Sequence, residues 1–279
     1  MIDYSEITFV ITTFRSEKVI YNCLEELPEI SQKIIIENSG SKNLKIDLEK
    51  KYKNLRCIIM NFNKGYGCAN NIGIKESKTN YIFIINPDVC LRKKKLDRVI
   101  SILGDQKFSI ASVLEDGEKS NQIFDKNEIQ EKNFVKGFAI LLDKKNMFGQ
   151  FFDENIFLYL EETDLCLRVK KKGGRIVLLN VTVEHLGGNS HGDFDDVEMQ
   201  KSRNWHWMWS KFYYTKKHNG YLVALLKTLP NFFSSLIKFF AYFIIFNKKE
   251  KIKYKMRFLG LINSYLLRKS FFRPYIGDE

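Results

Sequence analysis

The run Tyr81-Ile82-Phe83-Ile84-Ile85, closed by Asn86-Pro87-Asp88, constrains this chain more than any other segment. Five consecutive apolar residues of strong strand preference read as a central strand buried on both faces, the kind found in α/β sheets. Asn-Pro-Asp by itself is an ordinary turn. Placed at the C-terminal end of a buried strand, where open α/β sheets bind ligands, it makes Asp88 a candidate for a metal or phosphate site.

The rest of the chain supports the same layout. Strand patterns occur at Ile7 to Thr12, Lys33 to Glu37, Arg56 to Met60, Tyr81 to Ile85, Ser109 to Val113, Ala139 to Leu142 and Arg175 to Leu179. Helical patterns at Glu17 to Leu27, Tyr66 to Lys75 and Leu96 to Leu103 fall between the early ones. This alternation predicts a mainly parallel sheet covered on both faces. The polar stretch Glu115 to Glu131 reads as a loop or hairpin, and from Asp196 onward the pattern turns helical and amphipathic.

A second acidic segment, Tyr159-Leu160-Glu161-Glu162-Thr163-Asp164-Leu165-Cys166-Leu167-Arg168, puts three carboxylates at the mouth of a short basic helix. Thr163 is the expected N-cap and Gly173-Gly174 the stop. Charge complementing the helix dipole accounts for these acids in bland terms, and a general base accounts for them in chemical ones.

Taken together, the motifs resemble the inverting family 2 glycosyltransferases of GT-A fold, and most closely their rhamnosyltransferase-like branch, from about Ile7 to about Gly220. Phe9-Val10-Ile11-Thr12-Thr13-Phe14 is similar to the first strand and nucleotide-binding turn, and Ile34-Ile35-Ile36-Glu37-Asn38-Ser39-Gly40-Ser41 to the second strand. Asn63-Lys64-Gly65-Tyr66-Gly67-Cys68-Ala69-Asn70-Asn71-Ile72-Gly73 matches the Gly-rich loop and helix start, and Asn86-Pro87-Asp88 fills the slot of the metal-binding DXD motif. Gly137-Phe138-Ala139 resembles the acceptor-side loop, Glu161 to Asp164 the catalytic acidic motif, and His185-Leu186-Gly187-Gly188-Asn189-Ser190 the late histidine motif.

The resemblance implies a GT-A, Rossmann-like catalytic domain over 1–220 and a basic, aromatic-rich helical tail over 221–279. It implies donor contacts at Thr12, Thr13, Glu37, Asn63, Gly65, Asn71 and Asp88. Glu162 aligns with the general base, Asp164 is its substitute or the partner of Arg168, and Glu161 orients the helix entry or the acceptor. Mg²⁺ or Mn²⁺ is expected on Asp88 and His185, because the departing diphosphate must be neutralised. A structural role for His185 competes evenly; His191 is a weaker substitute, and His206 and His218 are expected at the surface. Where aspartate is usual, glutamate stands at positions 37 and 162, which keeps a non-catalytic sugar-nucleotide-binding homologue in view. dTDP-rhamnose is the donor suggested first, with a UDP-hexose second. The implied acceptor is lipid-linked or polysaccharide, in bacterial cell-surface glycan synthesis such as that of O-antigen.

Charge separates the two ends of the chain. Residues 1–200 carry 29 Lys and Arg against 30 Asp and Glu, a net of −1, whereas residues 201–279 carry 16 against 3, a net of +13. The same C-terminal stretch holds Trp205, Trp207, Trp209 and the pairs Phe232-Phe233 and Phe239-Phe240. Basic residues mixed with aromatic and apolar ones suit the interface of an anionic bilayer. Nucleic-acid binding would use similar residues, but the long apolar stretch from Phe232 to Phe246 argues against it. After Pro230 that stretch is broken by Lys238 and ends at Asn247-Lys248-Lys249, short of a span. Five unpaired cysteines suit a reducing cytosol, and the acidic N-terminus does not read as a secretory signal. The expected location is cytoplasmic, peripheral on the inner face of the membrane.

Overall fold

The computed structural model describes residues 2–104, 106–118, 124–185 and 197–274. In chain order the main elements are β1 Ile7–Thr13, α1 Ile20–Glu25, β2 Gln32–Glu37, α2 Lys42–Lys51, β3 Leu55–Ile59, α3 Tyr66–Glu76, β4 Tyr81–Ile85 and β5 Val89–Cys90. There follow α4 Lys93–Leu103, β6 Ile110–Glu115, β7 Ile129–Glu131, β8 Ala139–Asp143, α5 Glu161–Lys171, β9 Ile176–His185, α6 Val197–Asn219, α7 Tyr221–Ile244 and α8 Lys248–Tyr265. Two compact units result: residues up to 152 with 162–185, and residues 153–161 with 197–274. The expected boundary at Gly220 falls at the α6–α7 junction, inside the second unit.

In the first unit the strands are ordered β3-β2-β1-β4-β8-β6-β9-β5, and β7 also pairs with β9. Side chains alternate across the strands, and both faces are filled. Phe9, Ile11, Phe83 and Ile85 enter one core, while Val10, Ile34, Ile36, Ile82 and Ile84 enter the other. That two-sided burial is why β4 has no polar alternation. Each fully buried Ile or Phe contributes about 1.5–3 kcal/mol relative to exposure.

The sheet carries the expected parallel ladders and adds antiparallel ones, so it is mixed. The strands from β3 through β4 are parallel as expected. Beyond them β8 lies between β4 and β6 and runs antiparallel to both. An apolar run announces burial but carries no information about strand direction, so the reversal was not readable. Helix α2 was also unanticipated: only its Leu44 and Leu48 are buried, and its start is set by Ser41 Oγ accepting from Leu44 N at 3.3 Å. Helix α5 begins at Glu161, so Thr163 sits in its first turn and not at the cap.

In the second unit, α6, α7 and α8 pack through two clusters: Met208, Phe212, Ala224 and Leu261 in one, Trp205, Trp209 and Met256 in the other. His206, expected at the surface, is buried here. Its ring stacks on Phe157 at 4.4 Å, and its Nε2 lies 2.7 Å from the Phe272 carbonyl. Burial lowers its pKa to about 3, so the ring is a neutral core group at physiological pH. His218 is partly buried beside Tyr214. Pro230, read as the start of the apolar run, stands inside α7.

Helix α3 can lie on β1 only because position 73 has no side chain. A Cβ there would come 2.3 Å from Val10 Cγ1, a buried core atom. Gly73→Ala is expected to destabilise the chain by about 1–3 kcal/mol through overpacking, measured by equilibrium denaturation.

Candidate active site

Asp88 and His185 are brought together by a two-residue antiparallel ladder in which Val89 pairs with His185 and Cys90 with Glu184. His185 Nε2 lies 3.5 Å from Asp88 Oδ1, and the two side chains are 13% and 1% exposed. At 3.5 Å this is an ion-pair contact and not a well-formed hydrogen bond, and neither Asp88 oxygen has a hydrogen-bond partner among the described residues. A buried carboxylate left in that state is costly unless a cation or proton donor completes it.

The imidazole is held firmly. Its Nδ1 lies 3.0 Å from Glu115 Oε1, and its ring stacks on Phe138 with centroids 4.7 Å apart. Glu115 is itself paired with Lys136 at 2.9 Å. An Nδ1–H directed at Glu115 would leave the Nε2 lone pair facing Asp88, the arrangement that second-shell carboxylates give metal-binding histidines. Burial alone would lower the His185 pKa, but Asp88 and Glu115 outweigh it and raise the value above the usual one. With the imidazole neutral, its Nε2 and the Asp88 carboxylate suit a divalent cation, though no group of three metal-ligating side chains occurs among the described residues. A pair suffices for Mg²⁺ or Mn²⁺ when substrate phosphates and water supply the remaining ligands. His191 and the motif residues 186–190 lie outside the described residues.

At the C-terminal ends of β1 and β2, Thr13 and Glu37 stand opposite each other in register. Both are fully buried. Glu37 accepts from Thr13 Oγ1 on one oxygen and from Ser39 N and Oγ on the other. Burial raises its pKa, and these hydrogen bonds work against the rise. The geometry makes Thr13 and Glu37 a brace beneath the turn rather than a face presented to solvent. Thr12, half-buried, donates from Oγ1 to Asn70 Oδ1 at 2.9 Å.

The Gly-rich loop enters α3 through Gly65, whose φ of 85° and ψ of 170° favour glycine. Asn63 Oδ1 accepts from Gly65 N at 2.9 Å, so Asn63 shapes this turn. The adjacent asparagines divide their labour. Asn71 clamps Phe152, donating from Nδ2 to its carbonyl at 2.9 Å and accepting from its amide at 3.0 Å. Asn70, fully buried, keeps an Nδ2 with no partner among the described residues. Asn70 thus joins Asn71, expected from the sequence, as a candidate on the donor side.

Tyr66 Oη donates to the Gly137 carbonyl at 2.7 Å, tying the α3 start to the Gly137-Phe138-Ala139 loop. Across that loop lies Glu162: a Cβ on Gly137 would meet Glu162 Cβ at 3.3 Å and Cγ at 3.4 Å. Glu162 stands in the first turn of α5. Burial raises its pKa, while backbone amides at Glu162 and Thr163 restrain the rise. A base made stronger by desolvation yet held by helix-start amides is suited to proton abstraction.

Asp164 is fully buried and accepts from Arg168 Nε at 2.7 Å, the helical pair anticipated from the sequence. Arg168 also donates to Gln150 Oε1 and to the Phe151 carbonyl. These bonds bind the segment before α5 to the helix. Glu161 is also buried, and Tyr159 and Leu160 before it adopt φ values of 71° and 67°. Two successive non-glycine residues in the left-handed region mark a strained entry to the helix.

Comparison with known proteins bears on the fold and the family. Residues 8–162, more than half of the chain, match the Glycosyl transferase family 2 profile. The low-salt glycan biosynthesis hexosyltransferase Agl10 of Haloferax volcanii is 20% identical over 194 residues, 60% of this chain and 62% of that protein. The teichoic acid poly(glycerol phosphate) polymerase of Staphylococcus epidermidis is 32% identical over 92 residues, 30% of this chain and 13% of that one. The chain thus spans less than two thirds of the length of either relative. Among solved structures, S. aureus TarS 1–349 with UDP-GlcNAc gives a TM-score of 0.56 at 13% identity, covering 94% of this chain and 92% of that one. The mannosyltransferase PcManGT from Pyrobaculum calidifontis, with GDP-Man and Mn²⁺, gives 0.57 at 10% identity, covering 93% and 86%. The fold is of GT-A type, and the chain belongs to glycosyl transferase family 2.

Proposed function

We propose that this chain is an inverting glycosyltransferase that moves a sugar from a nucleoside diphosphate onto an acceptor hydroxyl. The observation that carries the proposal is the buried Asp88 carboxylate, which has no hydrogen-bond partner among the described residues and faces His185 at the end of the sheet. Mg²⁺ or Mn²⁺ held by these two side chains would neutralise the charge that develops on the diphosphate. On the donor side, Thr12, Asn70 and the amides at the start of α3 offer polar contacts, with Thr13, Glu37, Asn63, Gly65 and Asn71 setting their positions.

Glu162 takes the proton of the acceptor hydroxyl as the new bond forms at the anomeric carbon. On the opposite face the bond to the diphosphate breaks, and its electron pair leaves with the nucleotide. One displacement inverts the configuration, and no covalent intermediate is needed. Asp164, committed to Arg168, positions the helix. Rhamnose from dTDP-rhamnose is the first donor to test and a UDP-hexose the second, the latter favoured by the UDP-GlcNAc complex of the TarS neighbour. The acceptor is lipid-linked or polysaccharide, in cell-surface glycan synthesis, a reading supported by the glycan-biosynthesis hexosyltransferase and teichoic acid polymerase among the relatives. The enzyme works on the cytoplasmic face of the membrane, with its basic C-terminal unit against an anionic surface. A non-catalytic sugar-nucleotide-binding homologue is separated from this reading by donor hydrolysis or transfer.

Replacement of Asp88 by Asn keeps the side-chain shape and removes the charge. Donor binding by Asp88→Asn should lose its dependence on Mn²⁺ in titration calorimetry, and a folded variant with unchanged dependence would contradict the site. Glu162→Gln should lower transfer by about 10²–10⁴-fold with donor affinity nearly unchanged.

The pH dependence has a definite sign. The base works only as carboxylate, and its pKa is raised, so activity should fall with decreasing pH at values above the ordinary carboxylate range. A kcat/KM profile whose acid limb lies at or below about 4.3, the unperturbed glutamate value, would remove Glu162 from this role.

A further inference from the structure

Helix α7 is built inside out. The residues it buries are Ala224, Thr228 and Ser235, small or polar. Those it exposes include Leu222 at 72%, Leu226 at 70%, Ile237 at 67% and Ile244 at 71%, together with Phe233 and Phe240. At about 100° per residue the six outward residues share a stripe about 60° wide, roughly opposite the buried three. A helix in contact with water shows the reverse pattern. A continuous apolar stripe of this length marks a surface that is covered in use.

The stripe ends in a wedge. Ile244, Ile245 and Phe246 form the turn between α7 and α8, and Phe246 is 89% exposed with a φ of 54°. The amides of Ile245, Phe246 and Asn247 are bonded back to the carbonyls of Ala241, Phe243 and Tyr242, at 3.1, 3.3 and 3.1 Å. With those amides satisfied, the turn enters an apolar medium without stranding the donors. Asn247 Oδ1 caps α8 through Glu250 N, and Lys248, Lys249 and Lys251 follow at once. Lys227 and Lys238 lie about 80–100° round the helix from the edge of the stripe, on the flank between it and the buried face, and the ammonium groups of Lys238 and Lys251 sit over Tyr254 and Phe243.

Helix α7 is long and apolar enough to cross a membrane. Its packing speaks against crossing. Tyr242 stacks on Tyr254, Phe239 meets Phe258, and Thr228 Oγ1 contacts Tyr265 Oη at 3.1 Å, so α8 runs antiparallel along α7. Between Lys248 and Arg257, α8 carries seven charged side chains. A spanning α7 would draw them into hydrocarbon, at high cost. An in-plane position leaves them in the headgroup layer.

We propose that α7 lies flat in the interface of an anionic bilayer, with the Leu222–Ile244 stripe in the acyl region, the Ile244–Phe246 turn deepest, and the α8 lysines on lipid phosphates. The proposal deepens the membrane-surface reading above and rests on it. Charge selects the occupant: the net +13 of residues 201–279 matches an anionic lipid surface and would repel a second copy.

The experiment uses the intact chain, vesicle flotation, and phosphatidylcholine with or without phosphatidylglycerol. Wild type should float with the mixed vesicles and bind pure phosphatidylcholine far less. The double variant Ile245→Ser, Phe246→Ser and the single variant Ile237→Glu change exposed side chains, so folding should persist, checked by circular dichroism and nucleotide-induced thermal shift. Each should lose at least about tenfold in mixed-vesicle affinity. A Phe246→Trp variant should be quenched by bromine-labelled acyl chains more strongly than wild type. Wild-type flotation unchanged by the variants overturns the wedge and leaves the membrane reading standing. Absence of wild-type flotation overturns both. Self-association abolished by Ile237→Glu assigns the stripe to a second copy, and resistance to alkaline carbonate extraction assigns it to a span; either outcome overturns the in-plane placement. Nucleotide-sugar binding, unaltered throughout, keeps these failures separate from failure of the glycosyltransferase proposal.

Discussion

A short ladder between β5 and the end of β9 sets the geometry of the candidate site. Among the described residues two pairs join the strands, and they fix His185 against Asp88. The ladder is possible because β4 is buried on both faces and cannot shift its register without turning a core face toward the opposite layer. Apolar burial, which has no directional preference, supplies rigidity, and the polar groups at the strand ends use it. The desolvated Asp88 carboxylate is tolerable where it stands because the surrounding sheet overdetermines its position.

The same principle acts at Glu162, the proposed base. Glu162 is raised in pKa by its surroundings and restrained by amides at its own helix start. Position 137 is glycine, so the neighbouring loop can approach the glutamate closely. The supporting bonds of Asp164, Arg168 and Asn71 hold the segment that precedes the helix. Burial and the helix-start amides pull the Glu162 pKa in opposite directions, with burial the stronger.

The parts readable in the sequence were those with local patterns. The β4 run, the Gly65 turn and the acidic start of α5 each advertise themselves within a dozen residues. Support for His185 did not, because Glu115 lies 70 residues away and reaches it only through the β6–β9 pairing. The different hydrogen bonding of Asn70 and Asn71 was also hidden, since neighbours in sequence point about 100° apart on a helix and composition cannot tell which side faces the turn. The antiparallel β8, buried like its neighbours, carried no sign of its direction. The tail showed its charge and aromatic content plainly, but the inverted face of α7 emerges only when α8 is seen to occupy the small-residue side.

The central claim is that Asp88 and His185 form a seat completed by a divalent cation and a nucleoside diphosphate together. Thermal unfolding of the intact native chain with Mn²⁺ alone, with dTDP or UDP alone, and with both tests it directly. The account predicts a rise with both ligands that clearly exceeds the sum of the separate rises, since each completes the other's site. Equal stabilisation by the nucleotide in Mn²⁺ and in EDTA would contradict it.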